Sequence, residues 1–139
     1  MTDNRSVVAS YVTAINAGDW LRLAELFTPD ATIQGVTGTA PIAAALAPGS
    51  VWHQLHEGLN MRLEVVEMIA EGDRVAVLYI ERGRWTGPFL DMGEPTGQSY
   101  ELVAMEWFEL REGRIARRWG ARDGGSQARQ IAAPPSAAA

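Results

Sequence analysis

The spacing of apolar residues changes once along this chain, near residue 60, and that change restricts the folds open to it. Before it, apolar side chains recur at helical intervals. Val7, Val8, Tyr11, Val12 and Ile15 fall on one stripe of a helix predicted over 4–17. Gly18 ends that helix. Asp19 is placed to cap a second, short one from Trp20 to Phe27, with Trp20, Leu23, Ala24 and Phe27 facing inward. Pro29-Asp30 breaks the pattern, and Ala31 to Gly35 reads as a short strand. Thr39-Ala40-Pro41 reads as a helix start, and after Pro48-Gly49-Ser50 a helical pattern resumes from Val51 to Leu59.

Beyond residue 60 the period is two. Arg62 to Ile69 and Arg74 to Trp85 read as strands joined at Glu71-Gly72-Asp73. Gln98 to Leu110 and Arg114 to Asp123 form a second hairpin around Glu112-Gly113. The segment from Gly87 to Gly97, rich in Gly and Pro, either closes a pocket mouth or merely connects strands. Helices followed by a run of strands predict an α+β fold, with the N-terminal helices on the concave face of a curved antiparallel sheet. The 139 residues make one domain, expected over 1–131, followed by a flexible Ala/Pro-rich tail at 132–139.

Composition removes whole classes of chemistry. There is no Cys, so no thiol nucleophile, disulfide or thiolate metal site. All 12 basic residues are Arg, which excludes a Schiff-base or P-loop lysine. His53 and His56, the only two histidines, stand three residues apart with no third ligand at a matching spacing, so no metal is expected. A net charge of −5 without a basic run argues against nucleic acid. No apolar run approaches the roughly 20 residues of a membrane span. The opening MTDNRSVVAS has no basic segment leading into an apolar one, so no secretory signal is read and a cytoplasmic location is expected.

With Glu112-Gly113 as a two-residue turn, Leu110 opposes Ile115, Phe108 opposes Arg117, Glu106 opposes Trp119, Ala104 opposes Ala121 and Leu102 opposes Asp123. These residues then share one mostly apolar face, the expected pocket side. Met105 and Trp107 fall on the other face, which predicts an interface between two copies. A slip of one residue would exchange the two sets. In this register Asp123 sits on an apolar face at a strand end, where burial would make its carboxyl a useful base near neutral pH. The sequence GARDGGS equally suits a turn or a helix cap. Glu106 shares the face and needs a partner, for which Arg117 is diagonal to it; a structural ion pair is the plainer reading.

Other candidates for the pocket are His53, His56 and the following Asn60 as hydrogen-bond donors, against solvated helix positions. Tyr79 and Trp85, on one strand face with Glu81, either line the pocket or pack the core. Gln34 ends the first strand and Trp119 stands on the expected inner face.

Four stretches carry a resemblance: NAGDWLRLAELFTPDATI (16–33), IAEGDRVAVLYIERGRWTGPF (69–89), EPTGQSYEL (94–102) and EWFELREGRIARRWGARD (106–123). Together they make the chain resemble the SnoaL-like polyketide cyclases of the nuclear-transport-factor-2-like superfamily. The resemblance implies a cone-shaped α+β barrel with a deep apolar pocket, and a dimer through the outer sheet face. It also implies a cofactor-free intramolecular aldol closure, with an Asp near the end of the last strand as general base. Asp123 is the matching position. One departure stands out: the cyclases place His on the last two strands, whereas here Ala104 and Ala121 stand at those inward positions and no His follows His56.

The expected function is therefore ring closure of a carbonyl-rich, largely apolar small molecule. Asp123 would be the base, with donors drawn from His56, His53, Tyr79, Trp85 and Gln34. Two alternatives are open. One is an epoxide hydrolase of the limonene type using Asp123, Glu106 and Arg117, and the other is a small-molecule-binding module without chemistry.

Overall fold

The structure is a computed structural model and describes residues 3–35 and 38–132. Helix α1 (Asn4–Ala17) starts where the Asp3 carboxylate accepts the Ser6 amide at 2.8 Å, satisfying one of the open N–H groups of the first turn. It stops at Gly18, whose φ of +67° lies in the left-handed region. Val7, Val8, Tyr11, Val12 and Ile15 are buried along it, the stripe the spacing predicts. Asp19 caps α2 (Trp20–Leu26) through the Arg22 amide.

Strand β1 (Phe27–Gln34) runs directly out of α2 and is longer than the Ala31–Gly35 segment expected. Thr39-Ala40-Pro41, expected to open a helix, forms instead the short strand β2 (Thr39–Pro41), paired antiparallel with β1. Pro41 then serves as the N-cap of α3 (Ile42–Leu46). Ser50 caps α4 (Val51–Glu57). Four long strands follow: β3 (Arg62–Glu71), β4 (Arg74–Arg84), β5 (Ser99–Arg111) and β6 (Arg114–Arg122).

The strands form one curved, open sheet in the order β2-β1-β6-β5-β4-β3. All neighbours are antiparallel except β1 and β6, which are parallel. A wholly antiparallel sheet was the expectation, but alternation along a strand carries no information about its direction. The inner face collects Val75, Val77 and Tyr79 of β4 and Leu102, Ala104, Phe108 and Leu110 of β5, all buried beneath the N-terminal helices.

The last hairpin departs from the expected register. Glu112 (φ +52°) and Gly113 (φ +78°) form the two-residue turn, and Leu110 does oppose Ile115. One step further, Glu109 opposes Arg117, so Ala116 is an extra residue on β6, a β-bulge. From there on every pair is shifted by one. Phe108 faces Arg118, Trp107 faces Trp119, Glu106 faces Gly120 and Ala104 faces Arg122. The inner row of β6 is thus Arg118, Gly120 and Arg122, while Arg117, Trp119 and Ala121 point outward. Trp119 is 44% exposed, not in the pocket wall.

The strand ends before Asp123, which is exposed and caps a helix that periodicity did not reveal, α5 (Gly124–Ala132). The Asp123 carboxylate accepts the Ser126 amide at 2.8 Å. Ala132, expected to open the flexible tail, closes α5; residues 133–139 of that tail lie outside the described residues.

Deleting Ala116 removes the extra residue and leaves Glu109 opposite Arg117 and Phe108 opposite Arg118, so Arg118 stays inward on Glu106. Urea unfolding of the deletion variant should therefore show no loss of about 3–5 kcal/mol, the usual cost of breaking a buried ion pair from one side. A loss of that size would contradict the reading of Ala116 as the residue looped out of the ladder.

Candidate active site

A cavity of about 90 Å³ opens between the inner sheet face and α1, α2 and α4. Its floor is made of small residues. Ala104 and Gly120 leave space on β5 and β6, and around them stand Tyr79 and Glu81 from β4, Glu106 from β5, and Arg118 and Arg122 from β6. Aromatic walls come from the helices through Tyr11, Trp20 and Trp52.

Two ion pairs are built into this face. Glu106 Oε2 accepts from Arg118 Nε at 2.6 Å and from the Tyr11 hydroxyl at 2.9 Å. Arg118 is further fixed by Nη1 donating to the Gln34 carbonyl at 3.4 Å and by the Trp52 ring, whose centre is 5.5 Å from its Cζ. A Cβ at position 120 would lie 2.6 Å from an Arg118 guanidinium nitrogen, so Gly120 makes the room in which that group rests. Burial works against the charge on Arg118, but Glu106 outweighs it and holds the guanidinium above its ordinary pKa.

The second pair is closed on itself. Arg122 donates Nε to Glu81 Oε1 at 3.0 Å and Nη2 to Glu81 Oε2. The Tyr100 hydroxyl donates to Glu81 Oε2 at 2.7 Å, and Arg122 Nη1 reaches Gln127 of α5 at 3.2 Å. Both oxygens of Glu81 are therefore engaged.

Glu106 differs. Its Oε1 is buried and has no hydrogen-bond partner, and the same is true of the Tyr79 hydroxyl and of His56 Nδ1. All three residues line the cavity. Unsatisfied buried polar atoms are uncommon in native structures, and a cluster of them in one cavity marks a place where a ligand supplies the partners. Burial, reinforced by the Glu106 charge, pushes the Tyr79 hydroxyl far above its ordinary pKa, so it stays protonated and can donate. His56 stands edge-on to Trp20, with ring centres 5.7 Å apart. Its ring occupies the space beside Gly18, where a Cβ would come within 2.5 Å of Nε2.

The sequence candidates thus divide. Glu106, Tyr79 and His56 reach the cavity. His53 does not: its ring stacks on Trp20 at 4.1 Å and Nε2 donates to the Leu46 carbonyl at 3.2 Å. Trp85 is a core residue, 1% exposed, with its N–H on the Gly87 carbonyl. The Gln34 amide is used locally, donating to the Gly35 carbonyl and accepting from the Thr39 hydroxyl. Asn60 is exposed and bonds to Arg84 and Thr86.

Arg117, expected as the partner of Glu106, faces outward toward Glu109 and the Trp119 ring, and Arg118 takes its place. The inward position expected of Asp123 is not found, for the shift in register ends the inner row at Arg122. No residue of the Gly87–Gly97 loop lines the cavity; the amides of Thr86 and Gly87 bond to the Gly58 carbonyl.

Glu81, Arg118, Arg122, Tyr11 and Trp52 were missed as site residues. One signal was available. Glu81 is the single charge in the inward row Val75, Val77, Tyr79, Glu81, and a buried carboxylate requires a cation. Among the described residues no three His, Asp or Glu side chains gather as a metal site would require.

A model of the SnoaL-like domain matches residues 8–118. The chain belongs to the SnoaL-like family. Solved structures share the fold of this SnoaL-like protein. A protein from Jannaschia sp. CCS1, provisionally named a SnoaL-like polyketide cyclase, is 26% identical with a TM-score of 0.83, over 95% of this chain and 93% of that one. IdmH from Streptomyces antibioticus, provisionally named a polyketide cyclase, is 27% identical with a TM-score of 0.74, over 93% and 98%. AclR from Streptomyces galilaeus, provisionally named a hydroxylase, shares the fold at 20% identity and a TM-score of 0.81, over 95% and 97%. No protein with a curated description matches the chain.

The Glu106–Arg118 pair makes this SnoaL-like protein sensitive to one-sided substitution. Arg118→Met is expected to cost about 3–5 kcal/mol in urea unfolding, and adding Glu106→Leu should restore much of it. Additive losses in the double variant would mean the two groups are not coupled.

Proposed function

We propose that this protein is an enzyme of the polyketide-cyclase type that removes a proton from carbon beside a carbonyl in its inner cavity. Glu106, rather than Asp123, is the base in this reading. The observation that carries it is the free Oε1 of Glu106, buried in the cavity while Oε2 is held by Arg118 and Tyr11. One oxygen fixes the carboxylate in place and the other is left for substrate.

The chemistry follows from these positions. The Cα–H bond breaks and its proton passes to Glu106 Oε1. The electron pair enters the carbon–carbon bond, and the developing enolate oxygen accepts a hydrogen bond from the protonated Tyr79 hydroxyl. His56 is the second group near this oxygen. The enolate carbon then attacks another carbonyl of the same molecule, whose oxygen takes the proton back from Glu106, giving a ring-closed β-hydroxy ketone and restoring the carboxylate. The walls of Tyr11, Trp20 and Trp52 hold the chain folded for that attack, which replaces a bimolecular encounter by a local one. The limonene-type alternative assigned Arg117 and Asp123 to the reaction, and both lie outside the cavity.

The reading includes a homodimer in the cytoplasm. No helix among the described residues is long and apolar enough to cross a membrane. On the outer sheet face Val103, Met105, Trp107, Trp119 and Ile69 are all more than two-fifths exposed, an apolar patch of the kind that interfaces cover. Sedimentation at micromolar concentration should give twice the chain mass, and Trp107→Arg should reduce it to one. A monomeric parent protein would remove the dimer from this account.

Catalysis is tested by exchange. In D₂O the acetyl hydrogens of acetophenone, a neutral carbon acid, should be replaced by deuterium faster with the protein than without it. Glu106→Gln should lower that rate by roughly 10²–10⁴, Tyr79→Phe should lower it too, and Asp123→Asn should leave it near the parent value. Absence of enhanced exchange would favour a binding module. Loss of exchange in Asp123→Asn alone would return the base to Asp123.

A further inference from the structure

The cavity has a volume of about 90 Å³, whereas sites that enclose a molecule of drug size have about 300–1,000 Å³. A substrate long enough to close a ring on itself exceeds that space, so one wall has to move. The floor is held most firmly, because β4, β5 and β6 each have a paired strand on both sides. α1 is bound along its length. Arg5 donates to the Met68 carbonyl at 2.9 Å, Asn16 bonds both the amide and the carbonyl of Leu63 at 2.8 and 2.9 Å, and six side chains between them are buried.

α4 is held differently. It presents Trp52, Leu55 and His56 to the cavity, yet of its seven residues only Leu55 is fully buried. Main-chain bonds pin its C-terminal end. The Gly58 carbonyl accepts the Thr86 and Gly87 amides at 2.8 and 3.0 Å, and a Cβ on Gly58 would lie 2.3 Å from the Pro88 carbonyl oxygen. Its N-terminal half is tied to the rest of the fold through side chains. Trp52 lies against the Arg118 guanidinium, His53 stacks on Trp20 and donates to the Leu46 carbonyl, and Gln54 accepts from the Leu90 amide at 2.5 Å. Just before the helix stands Gly49, whose φ of +79° lies in the left-handed region and whose lack of a side chain lets the backbone change direction there.

We infer that α4 is the gate of the cavity. It pivots at Gly58, its N-terminal end swings outward, and Trp52 leaves Arg118 as the ligand enters. In the bound state α4 rests on the ligand instead of on the ion pair. His53 and Gln54, which do not line the cavity, are the latch that holds the gate shut. The inference rests on the cavity being the substrate site, as proposed above, and adds how that site is opened.

The test is the rate at which acetophenone binds, read from tryptophan fluorescence because Trp20 and Trp52 line the cavity. Rapid mixing and temperature jump together cover microseconds to seconds, the range of lid motions. The observed rate should level off at high ketone concentration, at the rate of gate opening. His53→Ala and Gln54→Ala should each raise that ceiling about two- to tenfold, the factor carried by one stacked ring pair or one hydrogen bond. Asn16→Ala, on the fixed side of the cavity, should leave it unchanged.

A rate that rises in proportion to ketone concentration without a ceiling overturns the inference. So does a ceiling that Asn16→Ala moves and the two α4 variants do not, for another wall is then the gate. Failure of the parent protein and both α4 variants to take up acetophenone in the millimolar range overturns it as well. The first outcome is read on the unaltered protein, so it stands even if a variant does not fold. Deuterium exchange into the ketone is a separate readout. Gated binding without exchange removes the catalytic reading and leaves the gate standing, and exchange without a ceiling does the reverse.

Discussion

The buried pair of Glu106 and Arg118 is the constraint on which the rest of the inner face depends. Two charges taken out of water are tolerated only when each is met by the other and by further hydrogen bonds. Here the supporting contacts come from distant parts of the chain. Tyr11 of α1 donates to the same carboxylate oxygen, the Gln34 carbonyl at the end of β1 accepts from the guanidinium, and Trp52 of α4 lies against its face. The pair therefore ties two helices and strand β1 to the centre of the sheet. It exists because the bulge at Ala116 brings Arg118 inward, and because Gly120, two residues on, has no side chain to compete for the space.

The second pair uses the same residue types to a different end. Glu81 is saturated by Arg122 and Tyr100, and the network continues through Gln127 into α5. α5 is fixed further by Gln130, which bonds both the amide and the carbonyl of Glu101. That network anchors the C-terminal helix to the sheet. Glu106 is satisfied on one oxygen only, and in the proposed reaction this difference, not the identity of the residue, sets it apart from Glu81.

The SnoaL-like fold does not choose the chemistry by itself. Its solved relatives include proteins named as cyclases and one named as a hydroxylase on the same fold. The chemistry open to this chain depends on the set of side chains around the small floor of Ala104 and Gly120. The floor leaves volume, Glu106 and Tyr79 supply an acceptor and a donor side by side, and the paired arginines keep the surroundings electrically balanced.

Much of the architecture was legible from the sequence. Helix α1, its stop at Gly18 and its buried stripe follow from local spacing, and so do the existence of the four long strands and the turn at Glu112-Gly113, because those features depend on residues close together in the chain. The inward placement of Glu106 and Tyr79 was legible for the same reason: alternation along one strand fixes which side chains share a face. What local pattern cannot carry is the relation between strands. A single extra residue at Ala116 exchanged Arg117 for Arg118 and Trp119 for Gly120, and nothing in the run Ile115-Ala116-Arg117-Arg118 shows which residue is looped out. The parallel pairing of β1 with β6, the capping of α5 by Asp123, and the meeting of Tyr11, Trp52 and Arg118 around one carboxylate were all decided in tertiary structure. Each joins groups whose energies depend on partners tens of residues away, and whether a buried charge has such a partner is settled only when the sheet and helices close around it.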